Sequence, residues 1–171
     1  SKPKGYEKYM VVQNQGTYFD PVFKGSEGSW ERKGYATDIY TDIAMDWLKN
    51  RDQDKPFLLC LQPKAPHFYF EHAPRYDGLL AGVTIPEPPT LYEDVLNGDS
   101  ELKKGHPTQW SFNMTHTEDD PTYYKRELNA AVPDAMWPHN PDDPKDVVRA
   151  TYQQFIHKYI RCAQGNDDNL K

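Results

Sequence analysis

The sequence predicts an α/β fold, and three features of its 171 residues carry that expectation. Ile39, Ile43 and Trp47 recur every four residues with Ala44 and Leu48 beside them, the stripe of an amphipathic helix. Across the polar loop "KNRDQDKP" follows an unbroken apolar run, Phe57 to Leu61. A second helical stripe closes the chain. In an open α/β sheet a strand covered by helices on both faces shows a continuous apolar run rather than alternation, and Phe57 to Leu61 reads that way. Cys60 inside it is then expected to be an inert core residue, because free Cys packs like a small hydrophobe.

Taken in order, "YMVVQ" near the N-terminus reads as a short strand, and Gly16, Pro21, Gly25 and Gly28 mark turns or a hairpin after it. Thr37 or Asp38 is expected to cap the first helix. Beyond the apolar run, "TIPEPPTL" must be extended, since prolines 86, 88 and 89 exclude helix there. From about Asp77 to Asp143 no period is sustained. This stretch reads as a long surface excursion with short helical pieces, one at "YYKRELNAA", and residues 97–145 form a variable, loop-rich insertion. Trp110, Phe112, Tyr123, Tyr124 and Trp137 suggest that it folds back onto something. In the closing helix Asp143 caps and Pro144 takes the first turn; Val148, Tyr152, Phe155, Ile156, Tyr159, Ile160 and Ala163 make the apolar stripe. With no breaker after Leu170 and no initiator Met, the chain reads as an internal piece.

Composition narrows the function classes. A net charge of -6, with basic residues scattered among acids, gives no support for a nucleic-acid partner. No stretch approaches the roughly 18 apolar residues of a membrane span. The start, "SKPKGYEKYM", has no apolar signal-peptide region. The 15 prolines and 13% aromatic content fit a small core carrying long Pro- and Tyr-rich loops.

The residues that carry chemistry follow the apolar run. Lys64 and His67 lie three and six residues after Leu61, and ligand sites in open α/β sheets sit beyond the carboxyl ends of strands. Pro63 and Pro66 fix φ and favour an extended loop, so both side chains are held with little backbone freedom. An ammonium and an imidazole converging on one point suit an anion. Lysine supplies a compact charge with three donors. Histidine donates a hydrogen bond to an oxyanion or gives a proton to a leaving group. The same residues also fit a solvated lysine and a packed spacer histidine. His72, five residues after His67, makes no standard metal pair with it. The acidic clusters at 118–120, 141–144 and 166–169 lack calcium-loop spacing, so no metal ligand is assigned. Ser26, Ser29, Ser100 and Ser111 lack a GxSxG elbow, and no nucleophile is legible.

The stretch "GYATDIYTDIAMDWLKNRDQDKPFLLCLQPKAPHFYFEHAPRYDGLL" resembles the central part of the type I sulfatases, in the alkaline-phosphatase-like superfamily. In that family a helix leads through "DKPF" into a strand and then to a K-A-P-H motif. "TIPEPPTLYED" and "YQQFIHKYIRCAQGNDDNLK" resemble the link and helix that come later. "NQGTYFDPVF" is similar to a piece preceding the helix in the branch acting on carbohydrate sulfates. The likeness covers nearly all of 1–171 except about 97–145, so the chain is expected to be a central segment of a sulfatase catalytic domain.

The resemblance implies a partial alkaline-phosphatase-like sandwich, a mixed sheet flanked by helices, incomplete in this chain. It implies hydrolysis of sulfate esters of carbohydrates, with His67 catalytic and Lys64 and His67 binding the sulfate. The family nucleophile is a formylglycine made within a C/S-x-P-S-R motif; Ser1-Lys2-Pro3 imitates its start, but Lys4-Gly5 lacks the arginine. Ca²⁺ is expected in the parent enzyme with ligands outside this stretch, Asp167 and Asp168 not being among them. The chain alone is therefore expected to be inactive. Expected partners are a sulfated carbohydrate or aryl sulfate and the remainder of the domain, in a periplasmic, extracellular or lysosomal setting. Two alternatives stay open: a phosphate mono- or diester hydrolase of the same superfamily, and a non-catalytic module that binds sulfated glycans.

Overall fold

The computed structural model describes residues 3–67, 70–89, 91, 137–140 and 142–171. The helical piece expected at "YYKRELNAA", the aromatic residues from Trp110 to Tyr124, and most of the 97–145 insertion lie outside the described residues. The chain divides into two compact units, Ser1–Tyr76 with Arg161–Lys171, and Asp77–Ile160.

The first unit is built on a small antiparallel sheet, β1 (Met10–Val12), β2 (Val22–Gly25) and β3 (Gly28–Glu31), in that spatial order. β1 falls inside "YMVVQ", and Gly25 and Gly28 face each other across the β2–β3 turn as the glycine punctuation predicts. Side chains alternate along β2: Phe23 is buried while Val22 and Lys24 are exposed, the period-two pattern of a one-sided sheet. Phe23 lies opposite Val12 on one side and Trp30 on the other. Helix α1 (Ala36–Asn50) completes the core, with Ala36, Ile39 and Tyr40 clustered on Phe23 and Ile43 and Leu61 packed beside them. The Tyr40 ring meets Phe23 edge-on at 5.5 Å. Full burial of one such phenylalanine contributes about 1.5–3 kcal/mol.

The start of α1 differs from its expected cap. Tyr35 is the N-cap and makes no side-chain cap bond. The free N–H of Ala36 instead donates to the Tyr18 carbonyl at 2.8 Å. Asp38 is engaged elsewhere: its carboxylate accepts two bonds from Arg75, each 2.7 Å, and a third from Asn169 at 2.7 Å. Tyr76, at the end of the single-turn helix Pro74–Tyr76, donates to Asp168 at 2.8 Å. The last turns of the closing helix, the first turn of α1 and the Pro74–Tyr76 turn are thus fastened at one place.

The apolar run departs most from expectation. Phe57, Leu58 and Leu59 are 50%, 75% and 37% exposed, and Cys60 is exposed rather than a core residue, 3.4 Å from the Tyr6 hydroxyl. No β-ladder includes it; the sheet of the described residues ends at Glu31. A strand buried on both faces needs paired strands at its edges and helices over its faces, and β1 to β3 do not pair with this run. Only Leu61 reaches the core, while Phe57 rests edge-on against Trp47 at 5.6 Å with the Arg51 guanidinium over its ring.

In the second unit, α2 (Pro144–Leu170) begins as read: Asp143 Oδ1 accepts the Lys145 N–H at 3.0 Å. Its buried face does not follow the apolar stripe. Gln153, Gln154, His157 and Lys158 are buried alongside Ala150 and Tyr152, whereas Tyr159 is 39% exposed. The physical reason is the proline-rich segment that this face contacts. Gln153 accepts from the Ile85 N–H at 3.0 Å and donates to the Ile85 carbonyl at 2.8 Å, standing in for a neighbouring strand. Tyr152 donates to the Pro86 carbonyl at 2.9 Å, and His157 lies 2.9 Å from that of Val83. Prolines cannot donate to a ladder, so polar helix side chains complete the bonding of this backbone. Trp137 packs on His157 at 5.0 Å. Residues of α2 from Arg161 onward belong to the first unit. Among the described residues no helix is long and apolar enough to cross a membrane.

Candidate functional site

A cleft of about 510 Å³ opens in the first unit between two segments, Gln15 to Phe19 on one side and Lys64, His67 and Glu71 on the other. The first wall starts at a tight turn, where the Gly16 N–H donates to the Gln13 carbonyl at 3.0 Å. Gly16 sits at φ +66°, and a Cβ there would come within 2.7 Å of the Val12 side chain, so only glycine closes this turn without displacing β1. The segment is then pinned to the start of α1. Phe19 bridges Tyr35, the Asp20 N–H donates to Gly34 at 2.9 Å, and Asp20 Oδ1 accepts the Gly34 N–H at 2.8 Å.

The second wall is a turn rather than the extended loop expected from Pro63 and Pro66. The His67 N–H donates to the Lys64 carbonyl at 2.8 Å, around a cis Ala65–Pro66 peptide. Three side chains hold this wall from outside it. The buried Tyr18 hydroxyl donates to the His67 carbonyl, which also accepts the Phe70 N–H at 3.1 Å. Asn166 of α2 donates to the Ala65 carbonyl at 2.7 Å, and the Tyr35 hydroxyl donates to that of Glu71 at 3.1 Å. Burial, then the Cys162 thiol, pushes the Tyr18 and Tyr35 phenols well above their ordinary 10.0, so both remain neutral donors.

Lys64 is half-buried, its ammonium 5.0 Å above the centre of the Tyr18 ring, a cation–π contact. Burial lowers its pKa, and only the nearby Glu71 charge works the other way. An anion arriving in the cleft would act in the same direction as Glu71, favouring the protonated amine. The His67 side chain is exposed at the cleft. The two residues singled out in the sequence therefore line one cavity, three positions apart on one tight turn. Tyr18, Asn166 and Glu71 were not singled out. Only the "NQGTYFDPVF" likeness pointed toward Tyr18, and nothing local marks Asn166, whose partner lies 101 residues away.

A scan against protein-family models finds none that matches. In sequence, the chain is 28% identical to an N-acetylglucosamine-6-O-sulfatase of Bacteroides thetaiotaomicron, over an alignment of 197 residues covering 99% of this chain and 35% of that protein. In structure, it matches BT4656, solved in complex with its substrate D-glucosamine-2-N,6-O-disulfate. The TM-score is 0.72 with 26% identity, over 99% of this chain and 40% of that one. The chain thus spans well under half the length of either protein.

Proposed function

We propose that this chain, a stretch of sulfatase sequence and fold, supplies the sulfate-gripping wall of an enzyme that hydrolyses sulfate esters of carbohydrates. One observation carries the reading: Lys64 and His67, on one tight turn, line a single cleft. The two relatives, one an N-acetylglucosamine-6-O-sulfatase and the other solved with a sulfated glucosamine, support it.

The chemistry asked of this wall is simple to state. Hydrolysis adds water across the S–O bond, giving an alcohol and sulfate, and negative charge builds on the bridging oxygen as that bond breaks. Lys64 places a fixed positive charge beside the non-bridging oxygens. His67 gives a hydrogen bond, and finally a proton, to the departing oxygen. Tyr18 and Asn166 grip the turn's carbonyls, so the donors are set before the charge develops. The sulfatase relation suggests a metal cofactor, which we take to be Ca²⁺, with a formylglycine nucleophile. Among the described residues no group of three or more His, Cys, Asp or Glu is brought together, so no metal ligand is assigned here; the nucleophile is left unassigned because the 171 residues carry no C/S-x-P-S-R motif. The periplasmic, extracellular or lysosomal setting that the family resemblance implies is part of the same proposal.

The test compares substrates. The full-length protein should turn over a 6-O-sulfated glucosamine and an aryl sulfate, and leave the matching phosphate esters unchanged. Preference for the phosphates would move the chain to the phosphoesterase branch. Tight binding of sulfated glycans with no turnover would make it a binding module. The 171-residue chain by itself should show no sulfate release; release abolished by His67→Ala would overturn the division of labour proposed here.

A further inference from the structure

Lys64 and His67 account for only part of the cleft. A sulfate group occupies a small fraction of about 510 Å³, a volume in the range of pockets that hold whole small ligands. The rest of the lining has its own character. Phe19 lines the cleft and is 37% exposed, its ring tilted against Tyr35 with centroids 5.4 Å apart. Gln15 and Thr17 are exposed on the same wall, presenting an amide and a hydroxyl that both donate and accept.

Glu71 is the least expected member. A carboxylate beside an anion-binding pair repels the anion, so its place in the cleft needs a compensating role. An ionised carboxylate only accepts hydrogen bonds, and the neutral donors a sugar offers are its hydroxyls. Its backbone is fixed by the Tyr35 hydroxyl, the side chain is half-buried, and its charge is felt at both Lys64 and Tyr18.

Resting on the sulfatase reading, we infer that Glu71, with Gln15, Thr17 and Phe19, forms a sugar-facing subsite beside the sulfate-gripping pair, taking the hydroxyls and one apolar face of a pyranose. Aromatic face, amide and carboxylate together are what a polyol ring needs. The carboxylate and the aromatic ring offer a bare sulfate no donor. Hydrogen bonds to a charged partner carry enough energy that losing one changes a rate constant by about tenfold to hundredfold.

The experiment measures, in the full-length protein, the ratio of kcat/KM for 6-O-sulfated N-acetylglucosamine to that for 4-nitrophenyl sulfate, which has no sugar hydroxyls. Glu71→Gln and Gln15→Ala should each lower this ratio, Glu71→Gln by about tenfold to hundredfold. Activity on the aryl sulfate reports folding within the same sample. A Glu71→Gln protein losing equal activity on both substrates would show Glu71 acting through the charge on Lys64, and would overturn the subsite. An unchanged ratio with unchanged rates would overturn it as well. A His67→Ala protein unimpaired on either substrate would instead refute the sulfatase reading beneath it.

Discussion

Replacing Tyr18 by Phe isolates one contact, the phenol that holds the His67 turn. Tyr18 is 3% exposed and donates to the His67 carbonyl, while its ring stacks on Tyr35 at 6.3 Å and lies under Lys64. The substitution removes the hydroxyl and keeps the ring, so packing and the cation–π contact survive. The His67 carbonyl keeps the Phe70 N–H at 3.1 Å and is not stranded. What is lost is one partly buried hydrogen bond, worth about 1–1.5 kcal/mol. If that energy serves to orient the turn, kcat/KM falls by about tenfold, since each 1.4 kcal/mol or so of barrier is one decade. The assay is initial-rate hydrolysis of an aryl sulfate by the full-length protein across pH 5 to about 9, wild type against variant. Burial keeps the phenol neutral throughout that range, so the ratio of the two profiles should be flat with pH. Unchanged kcat/KM would refute the positioning role. A pH-dependent ratio would show that Tyr18 takes part in proton transfer, which this geometry does not support.

Two further substitutions test contacts inside each unit. Arg75, then Asn169, holds the Asp38 carboxyl below its ordinary 3.8. The stability this lends is present above that value and lost as pH falls through the lower folded value. Asp38→Asn should cost about 1 kcal/mol near neutrality, a charged pair discounted for partial exposure, and flatten the acid limb below about pH 4. Urea unfolding at several pH values measures both, and an unaltered acid limb would contradict the linkage. Gln153→Ala removes two bonds to Ile85 from a fully buried site and should cost about 2–3 kcal/mol by the same method; a loss below about 0.5 kcal/mol would show that the proline-rich segment is held by other contacts.

The residues that were legible in sequence are those whose structure is local. Glycines 16 and 28 announced the turns because their backbones take positive φ there, Gly25 because a Cβ would run into Trp30 and the Tyr9 carbonyl, and Asp143 capped as read because its partner is two residues away. Lys64 and His67 met at one cleft because they stand three positions apart on one hydrogen-bonded turn. The misreadings are non-local. Periodicity assigned the apolar side chains of α2 to its buried face, yet that face serves carbonyls and N–H groups about 70 residues earlier in the chain, and a segment that cannot complete its own ladder calls for Gln and His instead. Phe57 to Leu61 reads as a buried strand by composition, but burial depends on neighbours that composition does not reveal. Asp38 reads as a cap by position and is taken by Arg75, 37 residues away.

The most direct measurement is kcat/KM for an aryl sulfate with His67→Ala in the full-length protein. Loss of a donor at the departing oxygen predicts a fall of about a hundredfold or more, near 3 kcal/mol of transition-state stabilisation. A change of less than about twofold, in a variant that unfolds like the wild type, would mean that the imidazole does not touch the reacting sulfate.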